Sequence, residues 1–195
     1  TSLLSKNLPP LAERIRPKAF ADFIGQTEII HENSLLSNAA ASNQPFSLIF
    51  WGPPGTGKTT LARILSQEFK ADYFELSAIS SGVKQMREIL KKGKAAFDSG
   101  RRSILFIDEI HRFTKSQQDA LLHAVEDGSI TLMGATTENP SFEVIPPLLS
   151  RCRVLRLYPL SDQELEIVLI RAMKEDILLS QRYLALEAEA KSLLL

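Results

Sequence analysis

What is scarce in this chain narrows it first. A single cysteine, Cys152, stands among 195 residues, so no disulfide can form within the chain, which suits a reducing compartment. The three histidines, His31, His111 and His123, show no metal-ligand spacing with Cys152, and each reads as a structural side chain. No apolar run approaches the roughly 18 residues that a membrane helix needs. Neither sign of charge is in excess, with 23 basic residues against 23 acidic, so any contact with nucleic acid must come from a local patch. Internal repeats and low-complexity tracts are absent. Thr1-Ser2-Leu3-Leu4-Ser5-Lys6 lacks a starting methionine and the charged-then-apolar order of a signal peptide. Lys191-Ser192-Leu193-Leu194-Leu195 stops inside an apolar helical pattern, so the C-terminus is expected to be a cut through a structure.

What is present is an ordinary globular composition, 44% hydrophobic and 24% charged, enough for one sizeable core and a small second lobe. Short apolar runs alternate with longer amphipathic ones, which predicts βαβ units and a parallel sheet. The predicted strands are Ser47–Trp51, Tyr73–Leu76, Ser103–Ile107, Ile130–Met133 and Val154–Leu157. Predicted helices span Lys58–Phe69, Val83–Phe97 and Ser116–Val125. Asn139-Pro140 and Pro146-Pro147 read as breaks. Beyond Pro159, Asp162–Lys174 reads as a helix capped by Ser161 with Glu164 in the capping-box position, and Arg182–Leu195 as another. The expected division is an α/β core over 1–160 and the start of a helical lobe over 161–195.

Gly52-Pro53-Pro54-Gly55-Thr56-Gly57-Lys58-Thr59 fits the phosphate-binding pattern G-x-x-x-x-G-K-[ST]. Backbone N–H groups can approach phosphate oxygens only where no Cβ intervenes, and a helix beginning near Lys58 points its positive end at the same place. Lys58 is expected to reach the β- and γ-phosphates, and the Thr59 hydroxyl to ligate Mg²⁺. The plainer reading is a Gly/Pro turn. With glycine near 7% of residues, however, the pattern arises by chance about once in tens of thousands of positions, and here it lies between a strand and a helix.

Asp108-Glu109 follows the apolar run Ile104-Leu105-Phe106-Ile107. Ligands of open α/β sheets bind beyond the C-terminal strand ends, so Asp108 can hold Mg²⁺ through a water while Glu109 polarises the attacking water. Alone, such a pair could equally cap a turn; the upstream phosphate loop favours the metal. Lys84, Arg87, Lys91, Lys92 and Lys94 make a basic helix. Most such runs are solvated faces; the alternative is that Lys84 and Arg87 touch DNA phosphates. Cys152 reads as a small buried residue. Trp51 reads as packing beside the loop.

These motifs carry a resemblance. Trp51 to Thr60, with Asp108-Glu109-Ile110-His111-Arg112, resembles the AAA+ ATPases, and Ser150-Arg151-Cys152 the clamp-loader clade among them. Arg14-Ile15-Arg16-Pro17, Ser81-Gly82-Val83-Lys84, Lys115 to Ala120 and Gly134 to Glu143 resemble the replication-associated recombination protein A family, whose eukaryotic members are Werner-helicase-interacting ATPases. The resemblance implies a P-loop NTPase fold, a five-stranded parallel sheet between helices followed by the start of a helical lid. It implies Mg²⁺-dependent ATP hydrolysis, DNA-dependent or DNA-stimulated, in replication-fork maintenance, recombination and repair. It also implies a homo-oligomer off the membrane, single-stranded or forked DNA and a single-strand-binding protein as partners, and the bacterial cytoplasm or nucleoid as location.

Residue by residue, the resemblance assigns Thr137 to the sensor 1 position, with Thr136 as the neighbouring candidate. It assigns Arg151 to the arginine finger, Arg16, Pro17, Ile24 and Gly25 to the adenine pocket, and Thr60 to the nucleotide site. The helix bearing Lys84 and Arg87 corresponds to one that lines a DNA channel. The lid arginine called sensor 2 has no match and is expected beyond Leu195, so this stretch alone is expected to turn ATP over weakly. An ATP-gated scaffold or clamp-loader-like subunit with little turnover is the competing reading; Glu109 and Arg151 speak against it. A Holliday-junction branch-migration motor also carries Asp-Glu-Ile-His-Arg, but Gln117-Gln118-Asp119 and Glu138-Asn139-Pro140 favour the recombination protein reading.

Overall fold

The structure, a computed structural model, describes residues 8–182 and 184. In chain order the helices and strands are α1 (Leu11–Arg14), α2 (Leu35–Ser42), β1 (Leu48–Trp51), α3 (Lys58–Glu68), β2 (Asp72–Ser77), α4 (Val83–Asp98) and β3 (Ser103–Asp108). They continue with α5 (Lys115–Glu126), β4 (Thr131–Thr136), α6 (Pro140–Glu143), α7 (Pro146–Leu149), β5 (Arg153–Arg156) and α8 (Asp162–Glu175). The expected helix over 182–195 lies outside the described residues.

The five strands form one sheet in the order β2-β3-β4-β1-β5, and every pairing is parallel. A parallel sheet needs both faces covered, and the strands supply alternate side chains to each. Ile49, Leu105, Ile107 and Leu132 join one buried cluster with Met86 and Ile89 of α4, Leu121 of α5 and Leu148 of α7. Leu48, Phe50, Ile104 and Phe106, offset by one residue and so facing the other way, are also fully buried. Leu61, Ile64 and Leu65 of α3 are buried with them. Gly93 brings α4 close to the sheet: a Cβ there would stand 2.3 Å from Ile130 Cδ1.

Most element ends differ from the sequence expectation by one or two residues, and some of the differences have a clear local reason. β4 runs on through Gly134-Ala135-Thr136, because it is flanked by β3 and β1 and needs no apolar run to be paired. α5 begins one residue early, where Thr114 and Gln117 form a reciprocal capping box. Pro140 and Pro146, read as breaks, instead open the four-residue helices α6 and α7, since a proline's missing N–H costs nothing at the first helical position.

By contacts the chain divides into two compact units. One is Gln26–Pro159; the other combines the described parts of Thr1–Gly25 and Leu160–Leu195. The segment before Gln26, expected with the core, thus groups with α8. Its ties are polar: Arg14 donates from Nε and Nη2 to the Asp176 carboxylate at 2.6 and 2.9 Å, and Arg171 Nη1 donates to Asp22 O at 2.7 Å. Ser161 and Glu164 cap α8 reciprocally, as the sequence indicates.

Candidate functional site

The phosphate loop leaves the C-terminal end of β1, an interior strand between β4 and β5, and winds into α3. Gly57, the residue before the helix, has φ +93, and Gly55 has φ +79 with nothing within 4 Å of where a Cβ would stand. Left-handed backbone of this kind is nearly free only to glycine. Gly52 is fixed for a steric reason: a Cβ there would lie 2.3 Å from the Leu157 carbonyl oxygen. Pro53, Pro54 and Gly55 form the exposed tip, whereas Thr56 and Thr60 are buried. Thr56 Oγ1 donates back to Pro53 O at 2.9 Å.

Lys58 is buried, with only 8% of the residue exposed. Its Nζ donates to Gly52 O at 2.7 Å and Pro53 O at 2.8 Å, because the loop folds around the ammonium. Burial holds its pKa below the ordinary value, against the opposing pull of Glu109 and Asp108.

The acidic pair leaves β3 two strands away. Burial first, and the Glu109 charge second, push the Asp108 carboxyl upward, with Glu75 adding to this and Lys58 opposing it. Glu109 itself has φ +53 and ψ +49. A non-glycine residue in this region costs about 1–2 kcal/mol, and such strain concentrates at functional sites. It is held by the turn that follows: Arg112 N–H donates to Glu109 O at 2.8 Å, and Ile110 is fully buried. Gly134 makes room for that burial, since a Cβ on it would stand 3.1 Å from Ile110 Cδ1.

The two candidate sensor threonines have different surroundings. Thr137 Oγ1 lies 3.5 Å from Glu109 Oε2. Thr136, fully buried, accepts from Glu138 N–H at 3.0 Å and lies 3.0 Å from His111 Nδ1. His111 Nδ1 is also 3.1 Å from Glu109 Oε2. His111, read from the sequence as merely structural, therefore touches the acidic pair; its position two residues after Glu109 is the one signal that pointed there.

Arg151 lies at the other end of the sheet, just before β5. It donates to Pro147 O at 2.7 Å and Ser150 Oγ at 3.1 Å, and forms an ion pair with Glu126 at the end of α5. That partner is invisible in sequence, 25 residues upstream. Burial raises the Cys152 thiol to about 12, which leaves it inert. Trp51 carries the Arg156 guanidinium 4.8 Å from its ring centre, with Tyr158 on Arg156 at 5.1 Å. Lys84 and Arg87 are exposed on the first turns of α4. Arg16, Pro17, Ile24 and Gly25 belong to the smaller unit, where Arg16 pairs with Glu13 and Gly25 abuts Leu160 and Glu164.

The residues fit a nucleotide with its metal. A desolvated ammonium and two crowded carboxylates each carry a cost that an anion and a divalent cation would relieve. Mg²⁺ takes one or two protein oxygens and its remaining ligands from phosphate and water. Thr59 and Asp108 are the hard oxygen donors available at the loop and the β3 exit. No helix among the described residues is long and apolar enough to cross a membrane.

The chain is similar to known proteins. Replication-associated recombination protein A of Escherichia coli K12 is 50% identical over 166 residues, 85% of this chain and 37% of that protein. The ATPase WRNIP1 of Dictyostelium discoideum is 43% identical over 190 residues, 97% of this chain and 22% of that protein. The chain thus spans well under half the length of these relatives. Among solved structures, the RuvB Holliday junction branch migration motor of Thermotoga maritima superposes with a TM-score of 0.74 at 33% identity, over 92% of this chain and 59% of that one. The model of the ATPase family associated with various cellular activities (AAA) matches residues 48–160, and the chain belongs to that family, with replication-associated recombination protein A and WRNIP1 among its relatives.

Proposed function

We propose that this chain binds Mg·ATP at Gly52–Thr60 and hydrolyses it, and that hydrolysis drives work on DNA during replication-associated recombination and repair. One observation carries the reading: Asp108 and Glu109, some 50 residues downstream of Lys58 in sequence, lie close enough for both their charges to pull on its ammonium, and Thr137 Oγ1 lies 3.5 Å from Glu109 Oε2. Loop N–H groups and Lys58 bind the phosphates. Thr59 and Asp108 would hold Mg²⁺, which when bound supplies positive charge against the phosphate oxygens. Glu109 orients and polarises a water in line with the γ-phosphate, and Thr137 helps fix that carboxylate. Arg16, Pro17, Ile24 and Gly25 are assigned to adenine, and Lys84 and Arg87 to DNA phosphates.

The DNA reading rests on the relatives' names, which speak of replication-associated recombination and, for RuvB, of the Holliday junction. Forked or single-stranded DNA, a single-strand-binding protein and a homo-oligomer are the proposed partners. The test uses the intact protein. Glu109→Gln keeps the side chain's shape and removes its charge, so it should bind ATP normally and hold it unhydrolysed in single turnover. A rate within about twofold of wild type, under 0.5 kcal/mol of barrier, refutes the role. Steady-state rates with single-stranded, duplex and forked DNA then identify the stimulating structure; equal rates with all three and without DNA refute the DNA-driven reading.

A further inference from the structure

The Glu109 carboxylate does not stand free to find its own geometry. Glu109 begins a tight turn in left-handed backbone, and Ile110–Arg112 completes it as a single 3-10 turn. The fully buried Ile110 anchors the turn under β4, and the turn carries the His111 ring back over the residue two places before it. His111 Nδ1 then lies 3.1 Å from Glu109 Oε2 and 3.0 Å from Thr136 Oγ1, with the His111 side chain only 9% exposed.

The hydrogen positions follow from what each atom can do. A carboxylate oxygen only accepts, and an imidazole lone pair facing it at 3.1 Å would be repelled, so Nδ1 carries the hydrogen. Thr136 then accepts from Nδ1 and is free to donate to Glu138 O at 3.2 Å, while it also accepts from Glu138 N–H. The ring therefore connects two strand ends: the β3 exit, which bears Glu109, and the β4 exit, which bears Thr136 and Thr137. With Oε2 occupied by His111 and Thr137, Oε1 is the oxygen left to face water.

We infer that His111 is a positioning residue for hydrolysis, acting through Glu109 by fixing which carboxylate oxygen faces the attacking water. This deepens the hydrolysis reading above and rests on it. Other roles for the ring fit less well. Among the described residues, no group of three or more His, Cys, Asp or Glu side chains that could hold a metal ion includes His111. A packing role alone would not place its nitrogen against two oxygens.

The test uses His111→Leu, His111→Asn, Glu109→Gln and the His111→Leu/Glu109→Gln double variant of the intact protein, the two His111 replacements separating position from bulk. The amide nitrogen of Asn superposes on imidazole Nδ1, whereas Leu fills the volume and donates nothing. In His111→Leu, single-turnover hydrolysis should slow about 10–100-fold, the scale on which small misplacements act, with ATP affinity by calorimetry changed less than about threefold. His111→Asn should recover most of that rate. Placed on Glu109→Gln, His111→Leu should slow hydrolysis no further, since the group it positions is already disabled. A His111→Leu rate within about twofold of wild type beside a slow Glu109→Gln overturns the inference and leaves the hydrolysis reading standing. His111→Asn as slow as His111→Leu, or a further loss of the same size on the Glu109→Gln background, overturns it too. A Glu109→Gln rate equal to wild type overturns the hydrolysis reading, and this inference with it.

Discussion

Arg151 offers the sharpest perturbation, because the sheet decides whose nucleotide it can serve. β5 runs parallel to β1, with Arg156 level with Trp51, and the phosphate loop begins one residue beyond Trp51. Arg151 lies before β5 in the turn that leaves α7, and the three steps from Arg156 back to Arg153 alone cover roughly 10 Å along the strand direction at about 3.3 Å per residue, farther than an arginine side chain extends. The guanidinium is turned toward Pro147 O and Glu126 instead. If Arg151 is an arginine finger, it must act on ATP held by a neighbouring subunit, and Glu126 must release it. With both side chains 40% exposed, that ion pair is worth about 0–1 kcal/mol. A finger is worth about 10³–10⁵ in rate, or about 4–7 kcal/mol, so release costs little against the gain. Arg151→Ala should therefore depress turnover of the intact protein by about 10³ or more while leaving ATP affinity nearly unchanged. The assay mixes Arg151→Ala with Glu109→Gln, each nearly inactive alone, and follows steady-state hydrolysis. A mixed interface joins an intact Glu109 to an intact Arg151, so activity should partly return. No recovery despite demonstrated co-assembly would refute the trans-acting finger and leave Arg151 as the structural partner of Glu126.

Two further perturbations probe separate parts of the molecule. Lys58→Ala should abolish ATP binding measured by calorimetry; because it also removes a buried donor from two loop carbonyls, a net loss of about 1 kcal/mol and a fall of about 2–4 °C in melting temperature are expected, and unchanged ATP affinity would sink the phosphate-site assignment. Hydrogen bonds from Arg14, the largest cause, hold the Asp176 carboxyl at about 2 against an ordinary 3.8. A depressed carboxylate contributes stability that is fully present above its unfolded value and is lost as pH falls through its folded value. The melting-temperature gap between wild type and Asp176→Asn should therefore be widest above about pH 4 and close toward pH 2; a gap that does not narrow would show that the ion pair contributes no stability.

Much of this protein is written locally. The phosphate loop is legible because glycine spacing and a following helix are demanded by backbone approach to an anion, and both lie within a few residues. The place of the acidic pair at the end of β3 is legible because the polar Asp108-Glu109 directly follows an apolar run. The Ser161–Glu164 cap was readable for the same reason. The family was readable from contiguous motifs, and so was the five-stranded parallel sheet.

What required the tertiary structure is whatever depends on atoms distant in sequence meeting in space. The burial of Lys58 follows from a loop closing over it, not from the residue type. The resemblance pointed to Thr137, with Thr136 as the neighbouring candidate; only distances distinguish the one beside Glu109 from the one that holds His111 and Glu138. Glu126 as the partner of Arg151, Asp176 as the partner of Arg14, and the grouping of the first described residues with α8 all join positions far apart in sequence. Periodicity and motif spacing register only near neighbours, whereas the placement of β1 between β4 and β5 sets what lies beside the phosphate loop and what lies at the sheet's opposite end.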